Sequence, residues 1–125
     1  MTGFLTRYAH RPFAFGCADC LLFLADWVLE CRGVDPAAPW RGAYRGWFGA
    51  ARIIHRAGGM AELVGKAVAP FGLPKVADTR RGDIAVVRAP EGERGAIVLG
   101  AMVARHNDRR IVVQRLPVIA AWRVL

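Results

Sequence analysis

The 125-residue sequence lacks any uninterrupted apolar run of the ~18 residues that a membrane span requires; Asp26 and Glu30 break its best candidate. Its first residues, "MTGFLTRYAHRPF", lack the continuous apolar stretch of a secretory leader, which predicts a soluble protein made in the cytosol. Lysine is nearly missing, with only Lys66 and Lys75 beside sixteen arginines. Those arginines are scattered rather than clustered. There is no basic run, zinc-finger spacing or aromatic ribonucleoprotein motif, so nucleic acid is not the expected partner. Cysteine and histidine are scarce, at three each. Cys31, His10, His55 and His106 are dispersed, and a structural zinc site needs four ligands in paired spacings. No metal and no cofactor is expected.

What remains is a chain that is 54% hydrophobic, which excludes disorder, with a net charge of +8. The length suits one domain with a real core. The charge suggests contact with something anionic, such as an acidic protein face or a wall polymer.

The pattern changes character near Pro70, giving a helical half at about 1–70 and a sheet half at about 80–125. Apolar spacing over residues 18–32, closed by Gly33, predicts a largely buried helix. A second helix is expected from Tyr44 to Ala57, with Trp47, Ala51 and Ile54 inward and Arg45, Arg52 and Arg56 outward. Gly58–Gly59 breaks it, and a third runs from Met60 to Val68. Beyond the "PFGLP" loop, Arg80 to Asp83 form a turn and Ile84 to Arg88 a strand. "APEGERG" reads as a hairpin loop, and Ala96–Gly100 and Met102–His106 as strands. "NDRR" is a turn, and the segments to Leu125 complete the antiparallel pairings. Helices followed by a meander predict an α+β domain over residues 1–125, with N-terminal helices packed on a C-terminal antiparallel sheet. Of the tryptophans, Trp40 is expected to be the exposed one.

Cys17 and Cys20 invite a redox reading, but the thioredoxin motif follows a buried strand and nothing before Cys17 resembles one. A Cys20–Cys31 disulfide fails on geometry, since eleven helical residues separate the pair by about 16 Å. Two readings stay open: compact core cysteines, or a nucleophile in the first helical turn, where the macrodipole favours the thiolate. In the second, Cys20 is the reactive thiol. Asp19 beside it reads as a helix cap whose charge opposes thiolate formation. His10 and His55 read as surface residues, and His106 as a histidine at a strand end.

"FAFGCADC" before an apolar helix, then "RRGDIAVV" and "GAIVLG", resembles the NlpC-type family of papain-like cysteine peptidases. Nearly the whole chain is similar to a phage- and prophage-associated group of unknown function. The shared motifs are Pro12 to Cys20, Gly33 to Pro36, Gly58–Gly59, Gly82–Asp83 and Ala121 to Val124. The resemblance implies a papain-like, NlpC-type fold with Cys20 as nucleophile and Ala18 and Asp19 as its helix-start neighbours. His106 matches the orienting position. Arg94 stands where the family's base histidine belongs, and a guanidinium cannot serve as a base. Three readings follow: His106 is itself the base through a shifted strand, Arg94 stabilises a Cys20 thiolate, or the fold persists without the chemistry. The implied function is a tail-tip (hub) protein of a phage particle, contacting neighbouring tail proteins and cutting peptidoglycan peptides. The alternative is an inactive structural plug on the same fold.

Overall fold

In the computed structural model, residues 1–10, 19–107 and 110–125 are described. Helices Thr2–Ala9 (α1), Cys20–Arg32 (α2), Gly46–Ala57 (α3) and Met60–Val68 (α4) precede six strands. These are Lys75–Val76 (β1), Ile84–Ala89 (β2), Gly92–Val98 (β3), Val103–His106 (β4), Ile111–Gln114 (β5) and Val118–Trp122 (β6). They form one sheet in the order β1-β6-β2-β3-β4-β5, and every pairing is antiparallel. The α+β class and the order of helices before sheet are as the sequence predicts. None of the described helices is long and apolar enough to cross a membrane.

The local chemistry explains the central helix. Asp19 caps α2 by accepting from the amides of Leu21 (3.0 Å) and Leu22 (2.9 Å). Gly33 closes it in the left-handed conformation at φ 70°, its amide bonded to the Leu29 carbonyl. Leu22, Phe23, Leu24, Ala25, Trp27 and Val28 are all buried, so α2 is the fold's inner helix. It lies on the sheet face carrying Ile84, Val86, Ile97, Ala120 and Trp122, with Phe4 and Tyr8 of α1 and Met60, Val64 and Val68 of α4.

Strand alternation sends Ala85, Val87, Ala96, Val98, Val103 and Ala121 to the opposite face, where they form a second buried cluster with Val76 and Leu116. Among the described residues, no helix residue belongs to that cluster. A register shift between Val86 and Val87, of the kind that raises local twist, lies in the β2–β6 pairing.

The Gly82–Asp83 turn ties the two ends of the sheet half together. Asp83 is buried and accepts from the Arg80 amide (2.7 Å) and Arg123 Nε (2.8 Å). Arg123 also donates to the Asp78 carbonyl, and Trp27 Nε1 donates to the Gly82 carbonyl from α2.

Several expectations change. Helix α1 and the short strand β1 have no counterpart in the sequence reading. Strand β3 covers Gly92–Val98 rather than Ala96–Gly100, because the β2–β3 hairpin turns within Pro90–Glu91 alone. In α3 the only buried residue is Ala50. Trp47, expected inward, is 55% exposed, while Trp40, expected to be exposed, is half-buried against Leu22, Ala25 and Ala37. Cys17, Ala18 and part of the "NDRR" turn (Asp108 and Arg109) lie outside the described residues.

Two glycines give a paired test of the packing. A Cβ on Gly95 would lie 2.6 Å from the Cys20 carbonyl oxygen and 2.9 Å from Leu24, whereas one on Gly65 within α4 meets only Trp122 at 3.6 Å. Gly95→Ala is expected to lower unfolding stability by about 1–3 kcal/mol. Gly65→Ala should raise it by about 0.5–1 kcal/mol through lower unfolded-state entropy and better helix propensity. Urea denaturation of both variants checks the contrast, which the opposite ordering would overturn. Asp83→Ala strips Arg123 of its buried partner and should cost about 3 kcal/mol in the same measurement.

Candidate functional site

Strand register places the site. The β3–β4 ladder runs through Val98↔Val103 and Ile97↔Ala104 and ends there. Continued by two residues, it sets His106 level with Gly95, on the helix-facing side of the sheet. Where the ladder has ended, the Gly95 amide forms a hydrogen bond with the Cys20 thiol. The start of α2 therefore rests where β3 and β4 part, and only a residue without a side chain fits beneath it.

Cys20 and His106 line one cleft of about 460 Å³ with Asp19, Tyr44, Trp47, Glu91, Arg94 and Arg105. The structure thus brings together the two candidate catalytic residues and the arginine at the expected base position. His106 is the last residue of β4, at a strand end as expected, but it is buried, at 1% exposed. Its ring meets Tyr8 edge-on at 5.2 Å and lies 6.3 Å from Phe23. His10 caps the end of α1 and His55 lies on α3; both are exposed, as expected.

Asp19 holds the site from the other side. Besides capping α2, its carboxylate accepts from the Tyr44 hydroxyl. Arg41 binds Asp26 (2.6 Å) and Asp35 (2.7 Å), fastening the α2–α3 loop that carries Tyr44. The cap changes the chemistry expected of the helix start. The amides of Leu21 and Leu22 are engaged by Asp19, so among the first-turn donors only that of Cys20 has neither an intrahelical acceptor nor this cap.

The electrostatics correct a second expectation. The Cys20 thiol is held above its ordinary value, chiefly because burial disfavours the thiolate. The Gly95 hydrogen bond opposes this, Asp19 adds to it, and the Arg94 and Arg105 charges oppose it. At neutral pH the resting group is a thiol, despite its place at a helix start.

The two arginines are held differently. Arg105 is buried and donates to Gln114 Oε1 (2.8 Å), with Glu91 3.1 Å away as its ion-pair partner. Arg94 donates to the Glu93 carbonyl (2.7 Å) and lies 5.8 Å from the centroid of the Trp47 ring. Among the described residues, no three His, Cys, Asp or Glu side chains gather to hold a metal ion. Sequence reasoning missed Gly95, Tyr44, Glu91, Arg105 and Trp47. The one available signal was a glycine inside a β-branched run, which marks close backbone approach.

Thiol reactivity tests this electrostatic balance. In a chain with Cys17 and Cys31 replaced by serine, the alkylation rate of Cys20 should rise with a midpoint above the free-cysteine value of ~8.5. Arg94→Gln should move the midpoint further up, and Asp19→Asn should move it down while weakening the cap by about 1 kcal/mol. Because the folded thiol keeps its proton to higher pH than the unfolded one, its contribution to stability is complete below the free value. That contribution is lost as pH rises through the folded value. A midpoint below ~8 in the unsubstituted site would overturn the assignment.

No curated protein and no solved structure matches the chain. One family model does, over residues 1–124. Its match takes in every element of the fold and every residue of the cleft, and the chain belongs to the family described as Domain of unknown function (DUF6950).

Proposed function

We propose that the chain is a cysteine hydrolase domain of the papain-like, NlpC type, which cleaves peptide amides of the bacterial cell wall as part of a phage or prophage tail tip. The observation that carries this reading is that Cys20 and His106 line one cleft, with Cys20 at a helix start beside a strand amide. In this reading Cys20 attacks the amide carbonyl, His106 takes the thiol proton, and the Cys20 amide donates to the developing oxyanion. His106 returns the proton to the leaving amine, and water then hydrolyses the thioester. His106 acts as the base, which accounts for an arginine at position 94. Neighbouring tail proteins are the partners, and the particle's tail is the place of action.

A second reading has a specific observation in its favour. The thiol is protonated at rest, and Asp19 holds two of the helix-start amides, which suits a scaffold on the same fold without turnover. Incubating the purified chain with cell-wall sacculi separates the two. The enzyme reading expects release of soluble peptides, abolished in Cys20→Ala and reduced about 10²–10⁴-fold in His106→Gln. Absence of release by the unsubstituted chain, or release that survives Cys20→Ala, rejects it and leaves the scaffold. The scaffold reading expects Cys20→Ala to assemble into particles and to support infection unchanged.

A further inference from the structure

Beside the cleft that holds Cys20 lies a second hollow, also of about 460 Å³, which includes His55, Gly58, Gly59 and Glu93 in its lining. Trp47, Ile54, Met60 and Arg94 line both hollows and form a wall that the two share. The wall's polar part is Arg94 beside the half-exposed Trp47 ring.

Arg94 is set apart from the other arginines around the core. Arg41, Arg105 and Arg123 each have a carboxylate within ion-pair distance. The bonds of Arg94 go to the backbone carbonyls of Glu93 (2.7 Å) and Glu91 (3.4 Å), and among the described residues it enters no ion pair. A guanidinium has five donors in a planar fork, so these carbonyls leave donors over for a ligand. Of the acids around the two hollows, Asp19 caps α2 and Glu91 pairs with Arg105, while Glu93 lines the second hollow with Arg94 and offers it only its backbone carbonyl. An aromatic face under a guanidinium leaves its donor edge open to a carboxylate.

We propose that the two hollows form one groove for an extended acidic peptide, and that Arg94, supported by Trp47, binds a side-chain carboxylate next to the bond presented to Cys20. The position of the bond rests on the reading of Cys20 as the reacting thiol; the carboxylate seat does not. Arg94 is then a specificity residue, standing where a base would otherwise stand.

Calorimetric titration of the Cys20→Ala chain tests the seat without turnover. The probes are the blocked peptide acetyl-Ala-Glu-Ala-amide and its glutamine analogue. The glutamate peptide should bind about tenfold tighter or more, the yield of one charge-assisted contact. The preference should shrink with added salt, vanish in Arg94→Gln and partly return in Arg94→Lys, while Trp47→Ala weakens it. Equal affinities, failure of both peptides to bind, or a preference that survives Arg94→Gln overturns the proposal. Displacement of the glutamate peptide by an equal concentration of inorganic phosphate also overturns it, since Arg94 would then be a general anion seat. The outcomes separate from those for the enzyme: acidic preference in a chain that releases no wall peptide retains the seat and rejects catalysis. Turnover without acidic preference does the reverse.

Discussion

The site depends on one close approach, that of the α2 backbone to the backbone of β3 at Gly95. Any side chain there would lie within 3 Å of the Cys20 carbonyl oxygen. A glycine in a strand sacrifices packing and conformational entropy, and here the return is positional. It lets the first turn of α2 settle between two parting strands, which puts the Cys20 sulfur against a backbone amide and in one cleft with His106. The Asp19 cap and the Tyr44 bond then fix the turn from the other side. The hydrophobic contacts of Phe23, Leu24 and Trp27 supply the burial energy, and the Trp27 bond to the Gly82 carbonyl holds the helix along its axis. The glycine permits the close approach.

That same closeness creates the site's electrostatic tension. Burial that excludes water from the thiol also withholds the solvation a thiolate needs. Arg94 and Arg105 offset part of this by favouring the thiolate. Glu91, paired with Arg105, tempers one of them. Arg94 has no such partner among the described residues, so an anionic ligand bound to it would do for the second cation what Glu91 does for the first.

Much of the fold was legible in the sequence. The apolar spacing before Gly33 and the double glycine at Gly58–Gly59 mark α2, α3 and α4 within two residues, because helix punctuation is local chemistry. Errors arose where long-range contacts decide. Helix α1 is short and has no side-chain cap, and it is held by the packing of Phe4 and Tyr8 on the core. Strand β1 consists of two residues that exist only through pairing with β6. Helical spacing with Ala51 and Ile54 predicts Trp47 inward, yet its ring lies beneath the Arg94 guanidinium. For the site, Cys20 and the Asp19 cap were readable from the helix start. The burial of His106 was not, since it depends on α1 and α2 covering one end of β4.

The motifs that gave the sequence its resemblance do not all bear on chemistry. Gly82–Asp83 and Ala121–Val124, forty residues apart in the chain, meet in the Asp83–Arg123 ion pair, with Trp122 in the core beside them. They are two ends of one structural device, which joins the start of β2 to the end of β6. Gly33 and Gly58 are helix stops in the left-handed conformation. Agreement at these positions is what any chain with this scaffold needs, whether or not it turns over a substrate. The proposed chemistry therefore rests on a smaller set: Cys20, Gly95, His106 and the charges around them. Within that set Arg94 stands out, because no carboxylate among the described residues pairs with it. It is half-buried, bound only to carbonyls and an aromatic face, and a shorter apolar residue would fill the same strand position at lower electrostatic cost. A cation kept in such a place is better explained by what it binds than by what it supports.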